Sequence, residues 1–166
     1  MHARSLELMS EALGRIHRVT DSPVLGDVLE VGARDIGHDY ASLFIHSRSC
    51  TTANIEQGDA VELLMPGPYN IPAASESFDL VVTGQTLEHV ANPFRLMREI
   101  HRVLRAGGYV IAIAPSVGRW HGEKDYWRFG PNAFEAIAEE CRFQVYADWI
   151  DDQSEWRDHV FVGRVF

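Results

Sequence analysis

The ten residues Val28-Leu29-Glu30-Val31-Gly32-Ala33-Arg34-Asp35-Ile36-Gly37 decide how this chain is read. Val28 to Val31 read as a short buried strand. Gly32 follows at once, the one residue type that turns tightly and brings backbone close to a ligand without a steric cost. In a doubly wound sheet, ligands sit at the carboxyl ends of the strands. The full dinucleotide pattern G-x-G-x-x-G is not complete, because only Gly32 and Gly37 stand in this loop, so a pyrophosphate cradle is poorly supported. A nucleoside without phosphates requires less: a close backbone turn and an acceptor for the ribose hydroxyls. That acceptor normally follows the second strand, about 20 residues on. Asn54 and Glu56 stand there. Glu56 suits a ribose diol, and Asn54 offers weaker neutral hydrogen bonds. A solvated turn is the alternative reading of both.

Upstream, Leu6, Met9, Leu13 and Ile16 recur at helical spacing and predict an amphipathic helix over residues 4–18, broken by Asp21-Ser22-Pro23. Residues 38–46 suit another helix. Downstream, strands are predicted over 50–55, weakly over 62–65, and strongly over 78–82, with Pro66, Gly67, Pro68 and Pro72 marking a loop. Asn92-Pro93 opens a helix as N-cap and first-turn proline. Phe94, Met97, Ile100 and Leu104 supply its apolar face, and Gly107-Gly108 ends it. His101 and Arg102 read as its exposed face. Residues 109–114 form a continuous apolar strand. A polar and aromatic loop runs from 115 to 130, and Pro131 opens a helix to Cys141. Strands over 143–150 and 159–165 flank the acidic segment 151–158, read as solvated.

Strands alternating with helices predict one α/β domain over 1–166: an N-terminal helix and linker (1–24), then the core (25–166). The sheet is expected to be mostly parallel and doubly wound, with helices on both faces. The last two strands form a hairpin, which adds one antiparallel strand. Met9 and Met97 belong to the core.

The formal charge of −9 argues against a broad nucleic-acid footprint or attraction to anionic lipid. Cys50 and Cys141, the two cysteines, form no C-x-x-C pair and read as reduced thiols. Charges at Arg4, Glu7 and Glu11 exclude a signal-peptide core there, and no apolar run approaches the ~18 residues of a membrane span. A cytoplasmic location is expected.

Several stretches carry a family resemblance. Val28-Leu29-Glu30-Val31-Gly32 resembles the first motif of class I S-adenosylmethionine-dependent methyltransferases, and Ser77-Phe78-Asp79-Leu80-Val81-Val82 resembles their fourth strand. Leu87-Glu88-His89-Val90 before Asn92-Pro93 is similar to the post-strand motif of the ubiquinone-biosynthesis-type branch. Glu99-Ile100-His101-Arg102-Val103-Leu104-Arg105-Ala106-Gly107-Gly108 resembles that branch's E-x-x-R-V-L-K-P-G-G segment. Thr83-Gly84-Gln85-Thr86-Leu87-Glu88-His89-Val90 and His121-Gly122-Glu123-Lys124-Asp125-Tyr126-Trp127-Arg128-Phe129 are similar to stretches of small bacterial methyltransferases associated with cell-surface glycan synthesis.

The resemblance implies a Rossmann-like fold, S-adenosylmethionine as cofactor, and methyl transfer, at oxygen, to a small-molecule or glycan-linked acceptor. It puts Glu30, Gly32 and Ala33 at the methionine end of the cofactor. Asn54 and Glu56 face the ribose, Tyr69, Asn70 and Ile71 the adenine, and Gln85 and Thr86 form the floor. Asn54 stands where the family usually has Asp, and no acid lies near Pro66-Gly67. These departures leave a second reading: a degenerate methyltransferase fold that acts through a partner. A nucleotide-dependent oxidoreductase is disfavoured by the missing third glycine.

Methyl transfer requires mainly alignment of nucleophile and methyl group, and a hydroxyl nucleophile gains from a general base. His89 after the fourth strand, and His121 and Asp125 in the loop after the fifth, are the candidates; alternatively, Glu88 and His89 only cap the helix at Pro93. No metal-ligand spacing such as H-E-x-x-H occurs. Trp120, Tyr126, Trp127 and Phe129 suit an acceptor pocket, with Trp127 and Arg128 anchoring the loop. The chain leaves little room for a substrate cap, so a homodimer is one source of the missing wall.

Overall fold

A computed structural model describes residues 3–20, 26–33 and 40–166. The expected break at Pro23, the loop residues Arg34, Asp35, Ile36 and Gly37, and the start of the 38–46 helix lie outside the described residues.

Among the described residues, seven strands form one sheet in the order β3-β2-β1-β4-β5-β7-β6. They are β1 Asp27–Val31, β2 Ser49–Asn54, β3 Leu63–Leu64, β4 Phe78–Gly84, β5 Leu104–Pro115, β6 Gln144–Ile150 and β7 Asp158–Arg164. β1 to β5 pair in parallel. β7 lies antiparallel to both β5 and β6, as the hairpin reading requires.

The strands at the centre are apolar on both sides because both faces are covered. On one face, α1 (Ala3–Thr20) lays Leu8, Met9, Ala12, Leu13 and Ile16 against Val28, Leu80, Val82, Ile111 and Ile113. A 3₁₀ turn at Ala41–Phe44 adds Phe44 to the same layer. On the other face, α2 (Pro93–Val103) and α3 (Ala133–Cys141) pack Met97, Ile100, Phe134 and Ile137 against Leu29, Val31, Val81, Val110 and Ala112. α2 starts as expected: the Asn92 side chain accepts a hydrogen bond from the Arg95 amide at 3.1 Å.

Three expectations are corrected. Gly107-Gly108 does not end α2; the helix stops at Val103, and the chain passes directly into β5. The register slip between Phe78 and Leu80 takes up the glycines, and the Gly107 amide bonds Val165. Arg102 is not a free surface residue: its guanidinium holds Glu99 and the carbonyls of Ile71 and Ala73, and His101 packs edge-on against Phe143. The acidic segment is not uniformly solvated, since Asp151 and Asp158 are both buried. Asp151 bonds Arg4 and so ties α1 to the far end of β6.

The chain runs outward from β1 to β2 and β3, then returns to β4 beside β1 and continues the other way. The reversal puts a crevice at the carboxyl ends of β1 and β4, where open α/β sheets bind ligands.

Candidate cofactor and acceptor site

A cavity of about 380 Å³ opens at that crevice, within the range of small-molecule sites. Its base is Glu30, Val31 and Gly32 from the end of β1, facing Gly84, Gln85 and Thr86 from the end of β4. Gly32 adopts φ +91°, and a Cβ there would stand 2.1 Å from Thr86 Oγ1. The two strand ends therefore approach as closely as backbone permits, and no side chain fits between them. Gln85 also sits in the left-handed region, at φ +55°. Such strain in a non-glycine residue persists only where its surroundings impose it. Here its amide bonds Ile113 O, and its side chain donates to Asp158 Oδ1 at 2.9 Å.

One wall comes from Asn54, Ile55, Met65 and Pro68, and the other from His89, Val90, Leu96, His121 and Trp156. Of the expected cofactor residues, Glu30, Gly32, Asn54, Gln85 and Thr86 line the cavity; Ala33, Glu56, Tyr69, Asn70 and Ile71 do not. Asn54 has a local task as well. Its Nδ2 donates to the Ala33 carbonyl at 2.7 Å, and its Oδ1 accepts from the Ile55 amide. Ala33 is buried beneath the turn, and Glu56 points to solvent. Ile71 belongs to the core, its amide held by Glu99. The Tyr69 hydroxyl accepts from the Asn92 amide while Arg95 covers its ring. On this side the cavity is lined by Met65 and Pro68 rather than by residues 69–71. The Pro66-Gly67-Pro68 turn was the available signal for this wall, while Leu96 and Trp156 had none.

His89 and His121 meet although they lie on separate loops, their rings edge to face at 4.9 Å. His89 Nδ1 is 2.5 Å from the Lys124 carbonyl. A carbonyl only accepts, so Nδ1 carries the proton and Nε2 the lone pair. His121 Nδ1 is 2.9 Å from Asp125 Oδ2, which also accepts from the His121 amide. Arg128 grips Asp125 with both terminal nitrogens and holds its carboxyl down at about 2. Asp125 thus does not line the cavity; it orients His121 from behind. Partial burial pulls the His121 imidazole below its ordinary pKa.

Arg128 anchors the loop as expected, lying over Trp120 at 4.5 Å and donating to the carbonyls of Gly118 and Arg119. Trp127 also anchors it, through its indole N–H to Val90 O. Phe129 is buried core, stacked on Phe134, rather than pocket wall. Trp120 and Tyr126 are exposed and do not line the cavity. The aromatic wall is Trp156, from the segment before β7.

Glu88 caps nothing in α2, whose cap is Asn92. Its side chain is fully buried, no other described residue hydrogen-bonds its carboxyl oxygens, and burial pushes its carboxyl up to about 8. The sequence offered Glu88 as part of a motif and as a helix cap, with no sign of this burial.

Comparisons with known proteins identify the family and the fold. Residues 25–112 match the family model described as a methyltransferase domain. A demethylmenaquinone methyltransferase of Staphylococcus epidermidis is 30% identical over 108 residues, covering 65% of this chain and 37% of that protein. This chain thus aligns with well under half the length of that relative. Two solved structures share the fold at low identity. Burkholderia thailandensis 1,6-didemethyltoxoflavin-N1-methyltransferase, with S-adenosylhomocysteine bound, has TM-score 0.74 at 16% identity, covering 95% of this chain and 77% of that one. An S-adenosylmethionine-dependent methyltransferase of Clostridium acetobutylicum has TM-score 0.74 at 10% identity, covering 96% and 92%. Among the described residues, no helix is long and apolar enough to cross a membrane.

Proposed function

This chain belongs to the methyltransferase-domain family, and from that premise we propose that it transfers a methyl group from S-adenosylmethionine to a hydroxyl of a small organic acceptor. The observation that carries the reading is the turn at Gly32, packed on Thr86 beside the buried carboxylate of Glu30, at the switch point of the sheet. The residues fit the cofactor. It is a cation at sulfur, and the acid Glu30 lines the cavity, a charge that favours a positive group. Glu30 and the Gly32 turn would hold the methionine end, Asn54 and Ile55 the ribose, and Met65 with Pro68 the adenine. When bound, the cofactor supplies an electrophilic methyl group on a sulfonium.

The chain's own residues then place the acceptor. Val90, Leu96 and Trp156 form an apolar wall that suits a ring. The relative named as a demethylmenaquinone methyltransferase supports a quinone-type ring as the acceptor class, while the choice of a hydroxyl rests on the base at His121. His121, neutral at neutral pH and held by Asp125, takes the acceptor's proton through Nε2. Asp125 is a positioning residue.

Isothermal titration with S-adenosylmethionine and S-adenosylhomocysteine, on protein checked for copurified ligand, tests the reading. Micromolar binding of both supports it, and a quinol and a sugar hydroxyl are the first acceptors to try. No binding at millimolar ligand by well-folded protein overturns it in favour of a degenerate domain that acts through a partner.

A further inference from the structure

We propose that Glu88, His89 and His121 form a site for a divalent transition-metal ion, Zn²⁺ or a close neighbour in softness, on the acceptor side of the cavity. One ligand atom from each of the three lies within 4.8 Å of the others, and His89 Nε2 is 3.8 Å from Glu88 Oε1. Bond lengths of about 2.0–2.2 Å set ligands on a tetrahedral ion roughly 3.3 Å apart. Side-chain rotation closes that gap, because His121 sits half-exposed on a loop.

Independent features point to a cation here. Among the described residues, Glu88 is a fully buried carboxyl group to which no other residue hydrogen-bonds, an arrangement costly unless a ligand completes it. Both imidazoles are arranged as metal ligands usually are. The remote nitrogen of each donates to an oxygen, the Lys124 carbonyl for His89 and the Asp125 carboxylate for His121. That outer contact leaves the lone pair on Nε2 and raises its basicity. Asp125 is in turn held by Arg128, so the whole outer set is built.

Three protein ligands leave a coordination position open, as at catalytic rather than structural sites. Two imidazoles and one carboxylate favour borderline transition ions over Mg²⁺ or Ca²⁺. His89 and His121 both line the cavity, so the open position takes the acceptor's oxygen. The bound hydroxyl then sheds its proton to water, and His121 serves as ligand instead of base. This rests on the acceptor reading above and replaces only its assignment of His121 as the base.

The test uses the full chain without a polyhistidine tag, stripped with chelator and titrated with Co²⁺, Zn²⁺ and Mg²⁺. Calorimetry and the visible absorption of Co²⁺ report binding, and the same samples are titrated with S-adenosylhomocysteine. One equivalent of Co²⁺ or Zn²⁺ is expected to bind, with Mg²⁺ far weaker. Asp125→Asn should weaken Co²⁺ binding by about 10–100-fold. Glu88→Gln and His121→Ala should weaken it by at least as much; His121 is on the surface, so its variant keeps the fold if Glu88→Gln does not. Absence of stoichiometric Co²⁺ binding in protein that still binds S-adenosylhomocysteine overturns the metal site and leaves the cofactor reading standing. Unchanged Co²⁺ affinity in His121→Ala overturns it too. Co²⁺ binding without S-adenosylhomocysteine binding would instead sink the cofactor reading.

Discussion

Replacing Gly32 with alanine tests how the two central strand ends are joined. At φ +91° any side chain is strained, at a cost of about 1–3 kcal/mol. The new Cβ would also lie 2.1 Å from Thr86 Oγ1 and 2.8 Å from Cγ2, so Thr86 must move, and such overpacking costs about 1–3 kcal/mol more. The expected loss is roughly 2–6 kcal/mol, a large share of the about 5–15 kcal/mol that holds a domain together. Thr86→Ala separates the two parts. Alone it removes a 3.2 Å hydrogen bond to the Gly84 carbonyl, worth roughly 0.5–1.5 kcal/mol. In the Gly32→Ala background it removes the two nearest atoms, leaves Thr86 Cβ at 3.0 Å, and recovers most of the overpacking share but not the backbone strain. Urea unfolding of the four proteins gives the interaction energy directly. The double variant is expected to be about 1–3 kcal/mol more stable than the sum of the single effects. Additivity within about 0.5 kcal/mol, or a Gly32→Ala protein as stable as the parent, would refute the packing argument.

Other outcomes follow from the same structure. Asn92→Ala should cost about 1 kcal/mol through loss of the α2 cap, read from the urea midpoint. Phe134 is fully buried and stacks on both Phe129 and Phe161, so Phe134→Ala should cost about 3–5 kcal/mol. Arg128→Ala should leave the global midpoint nearly unchanged but speed proteolysis within residues 116–128; an unchanged cleavage rate would show that the aromatics alone hold this loop. The guanidinium of Arg4 holds the Asp151 carboxyl below its ordinary range. Its folded pKa is depressed, so its stabilisation is complete above the unfolded value of about 3.9 and is lost as pH falls through the lower folded one. Asp151→Asn should therefore destabilise clearly at pH 7 and much less in acid below the folded value; an equal loss at both would rule the ion pair out.

Apolar runs at β1, β4 and β5, the Asn92-Pro93 helix start and the order of elements were legible in the chain because burial on both faces and helix capping act locally. The sheet class followed from them. Extension of β5 through Gly107-Gly108 was not legible: it depends on pairing with Phe78 and on the Gly107 amide reaching Val165. Nor was the burial of Ile71, which α2 imposes through Glu99. Residues contributed by strand ends, Glu30, Gly32, Gln85 and Thr86, were named through the family resemblance, and parallel strand polarity carries them to one edge. Met65, Trp156 and the convergence of Glu88 with His121 were decided only by tertiary structure. They come from loops distant in sequence, and only the assembled sheet brings those loops to the same rim.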